Sequence, residues 1–346
     1  MKVGKAKKIA VEWVVLHVSQ KPWFRGAYFS GSTTGMQVDE ELPISSDIDI
    51  VIVTDEEEVP LKLGKLIYKG VLIEITYIAW KELQSAEHVL TAYHLAGSFR
   101  LDTIIVDPTG HLHKLQKEVS SQFSKRSWVR RRCENARKKV ENGLQSIDPA
   151  VPWHDQVTSW LFPSGVTTHV ILVAALRNPT VRLRYLAARE VLMEYGYTDI
   201  YEELLTLLGC VQFTPQQVEN HLEQLALTFD AAASVAKTPF FFSTDIAQIS
   251  RPIAIDGSLN LIRSGYHREA MFWIIATFAR CHKILACDAP NLQLDHTPTF
   301  EAVMSDIGVY STNDLILRGE HVIDFLPKLW NTTEAILNEN PYILNG

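Results

Sequence analysis

The sequence predicts an α+β protein, with a mixed β-sheet and flanking helices over residues 1–120 and an all-helical domain over residues 121–346. Three observations carry this. Short apolar runs rich in Val, Ile and Tyr, bounded by turn residues, concentrate before Gly110. Beyond Gly110, apolar residues recur mostly at helical spacing. The length of 346 residues, with 47% hydrophobic and 21% charged, suits two packed domains.

Residues 4–19 carry apolar positions at helical spacing, and Pro22 ends that helix. Ala27–Ser30 reads as a short strand, and Gly31-Ser32 as a turn that opens a short helix. Asp47–Thr54 is a second strand, followed by an acidic turn at Asp55–Glu58. Lys65–Tyr68 and Val71–Ile78 flank the dipeptide Lys69-Gly70, which predicts a two-residue hairpin. Trp80–Ala96 reads as a helix, and Leu101–Val106 as a strand closed by the turn Asp107-Pro108-Thr109-Gly110. Helices follow at 111–123 and 128–144, and about 145–165 reads as a linker or irregular stretch, with three prolines. Further helices are expected at 181–195, 200–208, 215–236, 266–287 and 313–338, and Pro239–Pro252 reads equally as strand or buried loop.

Charge and cysteine content narrow the function. Lys plus Arg number 33 against 40 acids, a net charge of −7, which argues against a nucleic-acid partner. Cys133, Cys210, Cys281 and Cys287 are scattered without a CxxC pair, which fits a reducing, cytoplasmic setting. The apolar N-terminal run is interrupted by Glu12 and His17 and reads as an amphipathic helix. Ala270–Ala286 is interrupted by Arg280, His282 and Lys283, so a buried helix is expected there and no membrane association.

Asp47 and Asp49 sit in an otherwise apolar strand, and residues two apart share one face. Two adjacent carboxylates repel unless a cation neutralises them, and Mg²⁺ is a hard cation that takes such oxygens together with substrate phosphates. Glu74 stands equally alone among apolar neighbours in the hairpin strand, and would complete a three-carboxylate cluster if its strand lay beside the first. Upstream, Gly31 and Ser32 lie where a strand turns into a helix, a place that offers backbone N–H groups to phosphate. A phosphate cradle beside paired metal carboxylates describes a site for nucleotidyl transfer.

Gly31-Ser32, a spacer from Thr33 to Ser46, Asp47-x-Asp49 in a strand and a later strand acid, Glu74, together resemble the polymerase-β-like nucleotidyltransferase superfamily. With a helical C-terminal domain, the chain looks most like the aminoglycoside and lincosamide nucleotidyltransferases. The resemblance covers residues 24–110; the spacer is slightly longer than is usual in the family, and Thr34-Gly35 lacks the basic residue often found there. It implies that Asp47 and Asp49 bind Mg²⁺, that Gly31, Ser32 and Ser46 hold nucleotide phosphates, and that Glu74 is either a third ligand or the base for the acceptor hydroxyl. The implied partners are a nucleoside triphosphate and a small-molecule hydroxyl acceptor, with AMP transferred from ATP and pyrophosphate released. An acidic protein would also suit an aminoglycoside-like polycation.

Other segments admit both a functional and an ordinary structural reading. The run Lys125–Lys139 offers a positive helix face for a triphosphate or an RNA acceptor, or a solvated helix that balances an acidic chain. Tyr266-His267-Arg268-Glu269 opens a strong helix that could lean over the cleft, or simply a capped surface helix. His111 and His113 share a face only in an extended chain, Cys281, His282 and Cys287 lack zinc spacing, and Gly257-Ser258 reads as a turn. Apolar helix faces in the C-terminal half would serve a homodimer. Rival functions are transfer to RNA or protein, and a non-catalytic nucleotide-binding or antitoxin-like module.

Overall fold

A five-stranded mixed sheet forms from β1 (Phe24–Phe29), β2 (Ile48–Thr54), β3 (Gly64–Tyr68), β4 (Val71–Ala79) and β5 (Ile104–Val106), in the order β3-β4-β2-β1-β5. A computed structural model describes residues 1–56 and 58–345, so the predicted acidic turn falls partly, at Glu57, outside the described residues. β2 and β4 run parallel while the other neighbours are antiparallel. The β3–β4 hairpin turns at Lys69 and Gly70, both with positive φ (47° and 77°), the geometry that a twisted two-residue hairpin requires.

Alternation divides β2 between two apolar faces. Ile48, Ile50 and Ile52 join Ile73 and Ile75 against helix α1 (Val3–His17), through Ala6, Ala10, Trp13 and Val14. Val53 and Tyr28 pack on the opposite face under α2 (Ala86–Thr91) and α3 (His111–Gln122), through Val89, Leu90, Leu112 and Leu115. Each buried isoleucine contributes about 1.5–3 kcal/mol, and truncating Ile50 to Ala would cost about 2–5 kcal/mol. Asp49 lies on the face of Val51 and Val53.

The helical half comprises α4 (Arg126–Leu144), α5 (Trp153–Ala174), α6 (Arg184–Glu194), α7 (Thr198–Leu208), α8 (Pro215–Val235), α9 (Gly257–Arg263), α10 (His267–Asp288), α11 (Pro290–Asp306) and α12 (Thr312–Glu339). α5 and α10 are each long and apolar enough to cross a membrane by length and composition, yet 78% and 83% of those windows are buried inside this core. Trp160 and Phe272 place them at its centre.

Four expectations need correction. The region 145–165 is mostly helix, because α5 begins at Trp153 and runs through Pro163. Gly143, on the neighbouring α4, has no Cβ where the Pro163 ring packs, so the ring is accommodated rather than breaking the element. Trp80–Ala96 is not one helix: Ser85 caps α2 by accepting from the His88 N–H, with short 3-10 turns at Trp80–Leu83 and Ala96–Phe99. Pro239–Pro252 is not strand: Phe240, Phe241 and Phe242 lie in a loop, and 3-10 turns follow at Ser243–Ile246 and Gln248–Ser250. Gly257-Ser258 starts α9 instead of forming a turn. The sequence reading also missed α11, whose Pro290 occupies a tolerated first-turn position and whose Pro298 reads as a breaker.

Candidate metal and nucleotide site

Parallel pairing sets Asp49 directly opposite Glu74. Asp47 stands one residue ahead of β2, and one oxygen from each of Asp47, Asp49 and Glu74 lies within 4.8 Å of the others. The three acids expected to converge therefore do so. All three offer hard oxygen donors, and the set could hold a divalent cation.

The Gly31 loop sits on top of Asp49. Its φ is +70°, open to glycine, and a Cβ there would overlap the Asp49 carboxylate. The Ser30 N–H donates to the Asp49 carbonyl at 3.0 Å, which fixes the loop to β2. Ser32–Gly35 is a single 3-10 turn, so it supplies backbone N–H groups but not the macrodipole of a longer helix. Gly31 and Ser32 are exposed, while Ser46 is half-buried with its N–H donating to the Pro43 carbonyl at 3.0 Å.

Two lysines enter the acid cluster from β3 and the segment before it. Lys65 pairs with Glu74 across the hairpin, and its Nζ lies 2.6 Å from Glu74 Oε2, 3.1 Å from Asp47 Oδ2 and 2.9 Å from Asp245 Oδ1. Lys62 Nζ lies 2.6 Å from Glu74 Oε1. Asp245 comes from the helical half, and its Oδ2 also meets Arg280 of α10 at 3.2 Å.

These neighbours set the protonation of each acid. Burial pushes the Asp49 carboxyl well above its usual range, and the charges of Asp47 and Glu74 push it further. Burial raises Asp47 as well, against the pull of Lys65. Burial alone would raise Glu74, but Lys65 and Lys62 hold it at about 2. Lys65 stays charged: burial disfavours its ammonium, while Asp245, Asp47 and Glu74 more than offset that.

From the helical half, Arg182 Nη2 donates to the Ser45 carbonyl at a long 3.5 Å, and Asn178 Nδ2 reaches Thr34 Oγ1 at 3.5 Å. Among the described residues Arg182 has no carboxylate within 4.0 Å, and burial lowers its pKa while Asp47 opposes that shift. It is a half-buried guanidinium beside the loop from Gly31 to Ser46.

Sequence reasoning missed Lys62, Lys65, Arg182, Asp245 and Arg280. One signal was available: Lys65 and Glu74 are equidistant from the Lys69-Gly70 turn, so a two-residue hairpin must place them opposite each other. No such signal exists for Asp245, which lies 171 residues beyond Glu74.

Several other residues take structural roles away from the acids. Arg268 pairs with Glu202 at 3.1 Å, and buried Glu269 accepts from the Tyr201 hydroxyl, so neither leans over the acids. Along α4, Arg126 and Arg130 pair with Glu334, Arg131 with Glu87 and Arg137 with Glu141, while Arg132 is buried against the carbonyls of Leu90 and Phe123. His113 bonds Asp107 at 2.9 Å and His111 meets the Leu83 carbonyl at 2.7 Å. Cys281 is a buried core residue, and Cys287 is exposed.

No protein-family model matches this chain, and no curated protein matches it.

Proposed function

We propose that the chain is a metal-dependent nucleotidyltransferase that moves a nucleoside monophosphate, AMP from ATP as the working case, onto a hydroxyl of a small molecule. The observation that carries this reading is the convergence of Asp47, Asp49 and Glu74 beneath the exposed Gly31 backbone. In the transfer, a bond forms between the acceptor oxygen and the α-phosphorus, the α–β phosphoanhydride bond breaks, and pyrophosphate leaves. Mg²⁺ would supply charge neutralisation for the triphosphate and activation of the acceptor hydroxyl.

Within this reading, Asp47, Asp49 and Glu74 would hold the metal. Gly31, Ser32 and Ser46 would orient the phosphates, and Arg182 would meet them from the helical side. Lys62, Lys65 and Arg280 are held by Glu74, Asp47 and Asp245, whereas Arg182 has no carboxylate within 4.0 Å among the described residues and is the cation offered to an anion beside the triad. That lining suits a triphosphate and disfavours a polycationic aminoglycoside at the same spot. RNA as acceptor gains no support from α4, whose arginines are largely paired or buried.

The test is a screen of labelled nucleoside triphosphates against pooled hydroxylated acceptors with Mg²⁺, reading pyrophosphate release. Asp47→Asn and Asp49→Asn, each folded by circular dichroism, should abolish release. Transfer that survives both changes would overturn the reading.

A further inference from the structure

We infer that Lys65 is the internal counter-ion of the acid triad, and that Asp245 is the seat to which its ammonium withdraws when a divalent cation binds Asp47, Asp49 and Glu74. The inference rests on the metal site proposed above and adds a device that governs its occupancy.

Lys65 Nζ has three N–H groups and three carboxylate partners, at 2.6 Å, 2.9 Å and 3.1 Å. Two of those partners, Glu74 and Asp47, belong to the triad, and Asp245 does not. A divalent cation on the triad would draw on the same carboxylates as the ammonium and repel it. The ammonium therefore needs a second partner within reach, and Asp245 already holds one of its N–H groups.

That partner is fixed independently of where Nζ lies. The Lys65 backbone N–H donates to Thr244 Oγ1 at 2.9 Å. The Thr244 side chain fills the space over Gly64, whose φ is +74° and where a Cβ would overlap it. Asp245 Oδ2 is held by Arg280 at 3.2 Å, and the Arg280 guanidinium lies over Trp273, Phe162 and Phe242 at 5.0 Å, 5.3 Å and 5.4 Å from their ring centroids. Lys62 Nζ, 2.6 Å from Glu74 Oε1, also has Asp245 Oδ2 within 3.5 Å, so only flexible lysine stems have to move. Two consequences follow: the resident ammonium competes with a divalent cation, and Asp245 promotes cation binding without touching the cation.

Mn²⁺ titration of the full chain, read by electron paramagnetic resonance, tests this. Lys65→Met should bind Mn²⁺ about tenfold more tightly than wild type, and Asp245→Asn about tenfold more weakly. In the Lys65→Met background, Asp245→Asn should have no further effect. If Lys65→Met binds no more tightly than wild type, the inference is overturned. Equal weakening by Asp245→Asn in both backgrounds would mean that Asp245 acts independently of Lys65 and would overturn it too. Lys65→Gln serves as the second variant if the methionine lowers the melting temperature. Mn²⁺ affinities in the expected order without pyrophosphate release from any acceptor would overturn the transferase reading and leave this inference standing. Transfer with identical Mn²⁺ affinities would do the reverse, and no Mn²⁺ binding by wild type would overturn both.

Discussion

Asp49 and Glu74 are register partners on two parallel strands, although 25 positions and a hairpin strand separate them in the chain. Their carboxylates are crowded, and burial with two like charges disfavours ionisation of Asp49. Asp49→Asn removes that conflict. We expect it to stabilise the metal-free protein by on the order of 1 kcal/mol while lowering transfer at least about 100-fold. Thermal melts in chelator, paired with the pyrophosphate assay, check both signs.

Gly31→Ala tests the loop above the acids. The substitution meets both a positive φ and the Asp49 carboxylate, so it must push the loop or the acid aside. A destabilisation of about 1–3 kcal/mol is expected, with weaker Mn²⁺ binding. Gly70→Ala is the control, because its φ is also positive (+77°) but nothing lies within 4 Å of the added carbon. It should lose stability and keep its affinity for the ion.

Arg182→Ala addresses the helical wall. A charge-assisted bond to phosphate is worth roughly 1.5–3 kcal/mol, so the KM for the nucleotide should rise at least about tenfold. Stability should change by less than about 1 kcal/mol, since no carboxylate is left unpaired. Arg182→Lys should recover part of the affinity. Steady-state kinetics against nucleotide concentration would show it, and an unchanged KM would remove Arg182 from the site.

His169 makes stability depend on pH. Burial and the neighbouring Arg184 depress it to about 3, and its Nε2–H donates to the Thr180 carbonyl at 2.9 Å. Between that value and the ordinary 6.5 the unfolded chain binds the extra proton, so stability falls as pH drops below 6.5. The contribution reaches at most about 1.4 kcal/mol per pH unit. Urea midpoints from pH 7 to pH 4.5 should fall less steeply for His169→Gln than for wild type.

Double replacement of Arg130 and Arg131 by Ala should leave transfer unchanged and cost about 2 kcal/mol or less, because both side chains sit in largely exposed ion pairs. Filter binding should show no RNA affinity with a steep salt dependence in either form.

The sheet was legible because its signals are local. Alternation in β2, the Lys69-Gly70 turn and the isolated Glu74 each report their own geometry within a few residues. The triad followed once two strands were placed side by side. Trp80–Ala96 and 145–165 were misread because capping at Ser85 and the space that Gly143 leaves for Pro163 depend on single contacts, and periodicity cannot report those. Asp245 was illegible for a different reason: its neighbours in sequence are Thr244 and Ile246, and nothing near them hints at an acid cluster on a distant strand. Tertiary contact alone gives it a role.

The docking of Thr244 and Asp245 on Gly64 and Lys65 also bears on how the protein is made. Residue 245 leaves the ribosome 171 residues after residue 74, a delay on the order of ten seconds or more at typical elongation rates. During that interval the nascent sheet carries its acids and lysines without their later companion. The finished constellation thus waits on a segment made well after the strands that carry the triad.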